Sequence, residues 1–436
     1  MLPSTEIREI LNKTSFELNP RLKWLLILLM ALGTLSFIVG LISGYADYAW
    51  QALLVNTLFF AGLVHGCLMV SVIITITKAR WGGPIKRLAE ATALFIPITW
   101  LLFGVLFFGM SYFFEWVDPS KIIIEKSWWL NLPLFIARNG FLLLTTGIIG
   151  LLYVFYSIKS DLILIKREAP DWINKISLRI LGDAAGSEAE LQKSAARHLR
   201  LAPLFAILYA ILTCLLAFDW TMSIDQGWVS TLFGVQYSIS NILAAGAFLL
   251  MGSSITRWRF KLKDYLTPDR HNDLSRLVFA FSIFWAYLVF SQILVIWYAN
   301  IPEEAPFLIL RMKSAEWSGL FYFLCFTLVL IPFFGLLTRI ACRSPLFSSI
   351  IAAVIFIGLW WEKYFLTIPS IQKNLALSET ISGLQISFFD ISITAGGLAA
   401  FVYCLIIVLR TIPMLPVSDS ALNEPGEKEL FRWVKD

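Results

Sequence analysis

The sequence is poor in charge. Asp, Glu, Lys and Arg make up 15% of the 436 residues, hydrophobic residues make up 58%, and mean hydropathy is +0.74. Soluble domains run near ~25% charged and ~45–50% apolar, so this composition excludes an ordinary soluble protein and indicates a polytopic membrane protein. The net charge of +5 does not indicate nucleic acid, because the basic residues fall in short loops, where they orient a membrane chain.

Metal and haem ligands are also scarce. The five cysteines are Cys67, Cys214, Cys325, Cys342 and Cys404. None lies in a CxxC or CxxCH pattern, which excludes the usual thiolate metal site and covalent haem attachment. There are three histidines: His65 in an apolar span, and His198 and His271 in expected cytoplasmic loops. A membrane haem held by two histidines needs both inside the bundle, so this chain is not a cytochrome b by itself. HExxH, Walker A and GxSxG patterns are missing too. Any redox role therefore relies on cofactors of other subunits or on a diffusible quinone.

Long hydrophobic runs are abundant. About 20 apolar residues cross a ~30 Å hydrocarbon core. Ten such runs are read at 23–43, 50–77, 87–109, 131–157, 200–218, 228–256, 274–297, 315–338, 346–361 and 385–409. Residues 1–22 carry mixed charge and lead straight into further spans, so no cleavable signal peptide is expected. Most Lys and Arg fall in the N-terminal segment, the even-numbered loops and the C-terminal tail. The positive-inside rule then places both termini in the cytoplasm. The organisation is a cytoplasmic segment 1–22, a membrane domain 23–409 with a cytoplasmic loop 158–199, and a cytoplasmic tail 410–436. That loop contains "LQKSAARHLRLA", which reads as an interfacial helix.

Ionisable residues inside spans are costly, at ~2.5–3.5 kcal/mol each near the helix centre, and they usually face the bundle interior and pair. His65 sits mid-span in "LVHGCLM" between Gly62 and Gly66. It reads either as a packing histidine or as a proton relay or quinone partner. Glu90, in "WGGPIKRLAEA", has Lys86 and Arg87 one turn away. A local ion pair and a cytoplasmic proton entrance are the two readings. Arg138 lies below the outer end of the fourth span and needs an anion or carbonyl partner; Asp219, Glu316 and Asp390 share that outer layer. Asp219 and Asp225, in "FDWTMSIDQGW", read as turn-capping and loop residues or as a proton exit. The proton-pathway set is therefore His65, Glu90, Arg138, Asp219, Asp225, Glu316 and Asp390. The alternative quinone-binding set is His65, Arg138 and Asp219. Ser238, Ser240, Asn241 and Gln292 add polar groups able to order water.

Two long stretches resemble a known family. "HNDLSRLVFAFSIFWAYLVFSQILVIWYANIPEE" and "FDWTMSIDQGWVSTLFGVQY" are similar to the signatures of the ActF family of alternative complex III, a bacterial quinol:cytochrome c (or high-potential acceptor) oxidoreductase. "WGGPIKRLAEA" and the Arg138–Asn139 pair resemble its third and fourth spans. The family belongs to the NrfD/polysulfide-reductase membrane-subunit group. The resemblance implies an all-α fold of two four-helix bundles, spans two to five and six to nine, with one flanking helix on each side. It implies a bacterial inner membrane and a complex with a sister ten-span NrfD-like subunit, an iron–sulfur subunit, c-type cytochrome subunits and small membrane subunits, with a terminal oxidase as a further partner. Haem c and iron–sulfur clusters would sit in those partners; this chain would bind no cofactor of its own, quinone or menaquinone being the exception to consider. The implied role is scaffolding with a proton half-channel. A second quinone-binding subunit, a purely structural anchor and a secondary transporter are the other readings.

Overall fold

The structure is a computed structural model that describes residues 4–173, 175–182, 186–374, 384 and 386–418. Among these residues, ten helices are long and apolar enough to cross a membrane. In order they are Pro20–Ile42, Ala46–Thr77, Gly83–Tyr112, Leu132–Glu168, Glu188–Ile224, Phe233–Arg259, Pro268–Ala299, Ser318–Leu336, Pro345–Asn374 and Phe388–Thr411, called spans one to ten below. No strand occurs among the described residues. The chain is an all-α polytopic membrane protein, and "inner" and "outer" follow the positive-inside orientation.

Spans two and six form the centre. Span two is buried along most of its length and packs on span six, which also contacts spans five, seven and nine. Spans four and five pair closely, and span three packs on span two. The first and last spans pair with each other outside this core. Their contact relies on glycine: a Cβ on Gly33 would lie 2.9 Å from the Cα of Gly396. Small residues at a crossing let two backbones approach, which is how helices gain packing where lipid supplies no hydrophobic drive. The same device joins the two halves. Gly62 and Gly66 face Asn241 of span six so closely that a Cβ at either position would overlap it.

Several boundaries differ from the sequence reading. Span nine continues through Glu362 and Lys363 to Asn374 instead of ending at 361. Span four runs to Glu168 and span five starts at Glu188, behind a Ser187–Glu190 capping box, so the loop expected over 158–199 is mostly helix. His198 and His271, expected in loops, are buried on spans five and seven. The tail turns back at its start: Ser418 N donates to Asp161 Oδ1 at 2.9 Å. Residues 419–436 lie outside the described residues.

Candidate functional site

Three buried polar clusters stand out within the spans. The first is on the inner side of spans two to five. Glu90 is 1% exposed. Its carboxylate accepts from Arg87 Nη1 at 2.6 Å, from Ser157 Oγ at 2.9 Å and from Ser71 Oγ at 3.2 Å. Arg87 Nη2 also reaches Asp161, which is fully buried on span four. Ser71 Oγ lies 2.9 Å from Tyr153 Oη, and Thr75 Oγ1 lies 2.8 Å from it. One guanidinium thus bridges two carboxylates. Glu90 and Arg87 meet because they are three residues apart on one helix, on neighbouring positions of one face.

The second cluster is at the outer ends of spans four and five. Arg138 Nε donates to Asp219 Oδ2 at 2.6 Å and Arg138 Nη2 to Asp219 Oδ1 at 2.8 Å, a bidentate pair. Trp129 Nε1 adds a donor to Oδ1 at 3.0 Å and Asn139 Nδ2 one to Oδ2 at 2.7 Å. Arg138 Nη1 donates to the Trp129 carbonyl at 2.7 Å, and the guanidinium stacks 4.0 Å from the Trp129 ring. Of the three partners considered for Arg138, the structure selects Asp219. Four donors occupy the two carboxylate oxygens, so Asp219 holds the outer ends of two spans together. The turn is capped through its backbone, with Ser223 Oγ donating to the Asp219 carbonyl.

The remaining outer acids are dispersed. Asp390 is the third residue of a capping box: its Oδ2 accepts from Ser387 N at 2.8 Å, and Ser387 Oγ accepts from Asp390 N at 3.2 Å. Asp225 pairs with Lys373 at 3.3 Å beyond the end of span five. Glu316 is exposed. None of these three joins the Arg138 pair.

His65 lies at a depth between the two clusters. It is 1% exposed, with Nδ1 2.8 Å from the Ala61 carbonyl. Its Nε2 has no hydrogen-bond partner among the described residues, and neither does Thr146 Oγ1 on span four. Thr146 falls between Arg138 at the outer end and Ser157 at the inner end of the same helix. Buried polar atoms left without a protein partner are where ordered water resides.

The third cluster is in spans six to nine; of its members the sequence singles out Ser240 but not Glu362 or Lys363. Glu362 Oε1 accepts from Trp285 Nε1 at 2.6 Å, and Oε2 accepts from Ser240 Oγ. Lys363 Nζ lies 3.4 Å from Glu362 Oε2, donates to Ser240 Oγ at 3.1 Å and sits 3.7 Å from the centre of the Tyr237 ring. Both charged residues are at most 2% exposed. With span nine ended at 361, Glu362 and Lys363 count as outer-loop charges. The signal that reveals them is the apolar run "YFLTI" resuming directly after the adjacent opposite charges. Asp161 escapes notice in the same way, since it falls in an expected loop that is helix.

No group of three or more His, Cys, Asp or Glu side chains is placed to hold a metal ion among the described residues. No protein-family model matches the chain, and no curated protein matches it.

Proposed function

We propose that this protein is a membrane subunit of a quinol-oxidising respiratory complex, in which it scaffolds partner subunits and carries a proton half-channel opening on the cytoplasmic side. The family resemblance motivates the complex. The arrangement in spans two to five supports the half-channel. Glu90 is the entrance: a buried carboxylate joined by hydroxyls of Ser71 and Ser157 and continued by Ser71 to Tyr153. The path continues outward in this reading through His65 Nε2 and Thr146 Oγ1, buried atoms with no protein partner among the described residues, by way of water. The single observation that carries the reading is that these unpartnered atoms lie between two charged layers, where proton transfer needs a link.

Arg138 and Asp219 act in this reading as an outer closure, a fixed charge pair that interrupts the path. A quinone head at Arg138 and Asp219 would have to displace contacts that are already made, which disfavours that alternative site. A structural anchor is the second reading, favoured by the pairing of Arg87 with Glu90 and Asp161 and of Arg138 with Asp219. The transporter reading expects interrupted helices at matching positions of two repeats. Away from the span ends, the interruptions among the described residues are a 3₁₀ segment Thr92–Phe95 in span three and a π segment Phe326–Leu330 in span eight, at the second and third positions of their respective bundles.

Mild-detergent purification from the native membrane tests the assignment. The complex reading expects haem c and iron–sulfur proteins to co-purify in fixed ratio with this chain. Recovery as a lone, stable protein would refute it.

A further inference from the structure

We propose that spans six to nine carry a binding site for an uncharged amphiphile drawn from the outer leaflet, with its apolar chain in an aromatic cavity and its oxygen-bearing head against Glu362 and Gln236. The cavity measures about 350 Å³. Ligand pockets commonly fall between about 300 and 1,000 Å³. Its walls come from Trp285 and Phe290 of span seven, Phe321 and Leu324 of span eight, and Phe365 of span nine.

Three features specify the occupant. The first is the opening. Phe290 lines the cavity yet is 60% exposed on the lipid-facing side of span seven, so the mouth opens towards hydrocarbon. An apolar cavity does not hold water, and one that opens into a bilayer admits a chain. The second is the lid. On the outer side the Trp228 and Phe307 rings lie parallel with centroids 3.6 Å apart, and the Arg311 guanidinium sits 3.5 Å from the Phe307 centroid. Entry is therefore lateral, through the membrane.

The third feature is the polar end. Glu362, Gln236 and Gln292 all border the cavity. Gln292 Nε2 donates to Gln236 Oε1, and Ser230 Oγ donates to Gln292 Oε1 at 2.9 Å. Gln236 Nε2 reaches Glu362 Oε1 only at 3.5 Å, a length at which a better acceptor displaces it. A carbonyl oxygen on the ligand accepts from this amide, and a hydroxyl donates to Glu362. Glu362 repels an anionic head, and the cation that also borders the cavity, Arg311, is already turned to the Phe365 and Leu366 carbonyls and Ser370. A cationic head has no use for a carboxylate already beside Lys363. A lipid-soluble quinone or quinol and a neutral glycerolipid both supply this chemistry. The site lies in the second bundle, away from His65, Arg138 and Asp219, and it does not depend on the proton half-channel.

Photolabelling in lipid nanodiscs tests the site. Two probes are used, a quinone and a diacylglycerol, each with a photoreactive group on its chain, and labelled peptides are mapped by mass spectrometry. The expected result is labelling of the segments around Phe290, Leu308 and Phe321. Ala286→Trp, which fills the cavity, should reduce it at least fivefold while the thermal unfolding midpoint holds. Leu308→Trp is the second filling variant, should Ala286→Trp fail to fold. Glu362→Gln and Gln236→Leu should weaken competition by whichever unlabelled head binds. Preferential capture of one probe identifies the source. Labelling spread evenly around the helix perimeter, or capture of both probes unaltered by Glu362→Gln and Gln236→Leu, would overturn the proposal.

Discussion

Arg311 Nε donates to the Phe365 carbonyl at 3.0 Å, and Phe365 is the residue whose helical donor is missing because position 369 is proline. Proline has no N–H, so the carbonyl four residues earlier is left open, and in a membrane no water is at hand to satisfy it. Arg311 Nη2 also reaches the Leu366 carbonyl and Ser370 Oγ, each at 2.9 Å. The fold uses the device twice: Pro332 leaves the Leu328 carbonyl open, and Ser282 of span seven donates to it. Although burial lowers the Arg311 pKa to about 9, the side chain remains cationic at neutral pH. Replacing Arg311 by Met should therefore destabilise the protein by about 1–3 kcal/mol, the usual cost of an unsatisfied buried group. In a Pro369→Ala background the penalty should shrink, because the substitution restores an N–H able to donate to the Phe365 carbonyl. A double-mutant cycle on unfolding in detergent micelles measures that coupling.

Asp219 and Asp390 read in the sequence as equivalent outer-layer acids, and the structure separates them. Asp219→Ala leaves Arg138 partly buried without its counter-ion and should cost about 3–5 kcal/mol. Asp390→Ala removes one half of a capping box and should cost about 0.5–2 kcal/mol. Thermal unfolding of the two variants side by side should rank them in that order.

The contact between spans two and six depends on the absence of two side chains. Gly66→Ala would push a methyl into the Asn241 carbonyl, which is backbone and cannot swing aside. The expected loss is about 1–3 kcal/mol, as for other overpacked sites. Gly140→Ala is the control, since nothing lies within 4 Å of its added Cβ, and it should not destabilise the helix and should gain up to about 1 kcal/mol from helix propensity. Equal effects of the two substitutions on the melting temperature would contradict the packing described.

Much of the fold is legible in hydropathy alone, because a bilayer demands ~20 apolar residues per crossing and tolerates little else. The pairing of Glu90 with Arg87 is legible as well, being local in sequence. Arg138 announces that it needs a partner, but choosing Asp219 over Asp390 requires knowing that spans four and five adjoin at their outer ends. Glu362, Lys363 and Asp161 are hidden for another reason. Each lies where a charge makes a helix look finished, whereas paired charges let the helix continue inside the bundle. Arg311 gives no sequence signal as a partner of Pro369, since the two are brought together only by the packing of helix Ala305–Met312 on span nine.

Glu90, in the function proposed, admits protons from the cytoplasm to a path through the level of His65. The most direct test of that role is the number of protons released per quinol oxidised by the purified complex in proteoliposomes, comparing the native chain with Glu90→Gln and His65→Ala at matched turnover. A reduced proton-to-electron ratio in both variants is the predicted result. An unchanged ratio with normal turnover would contradict the account and leave the chain as a structural anchor.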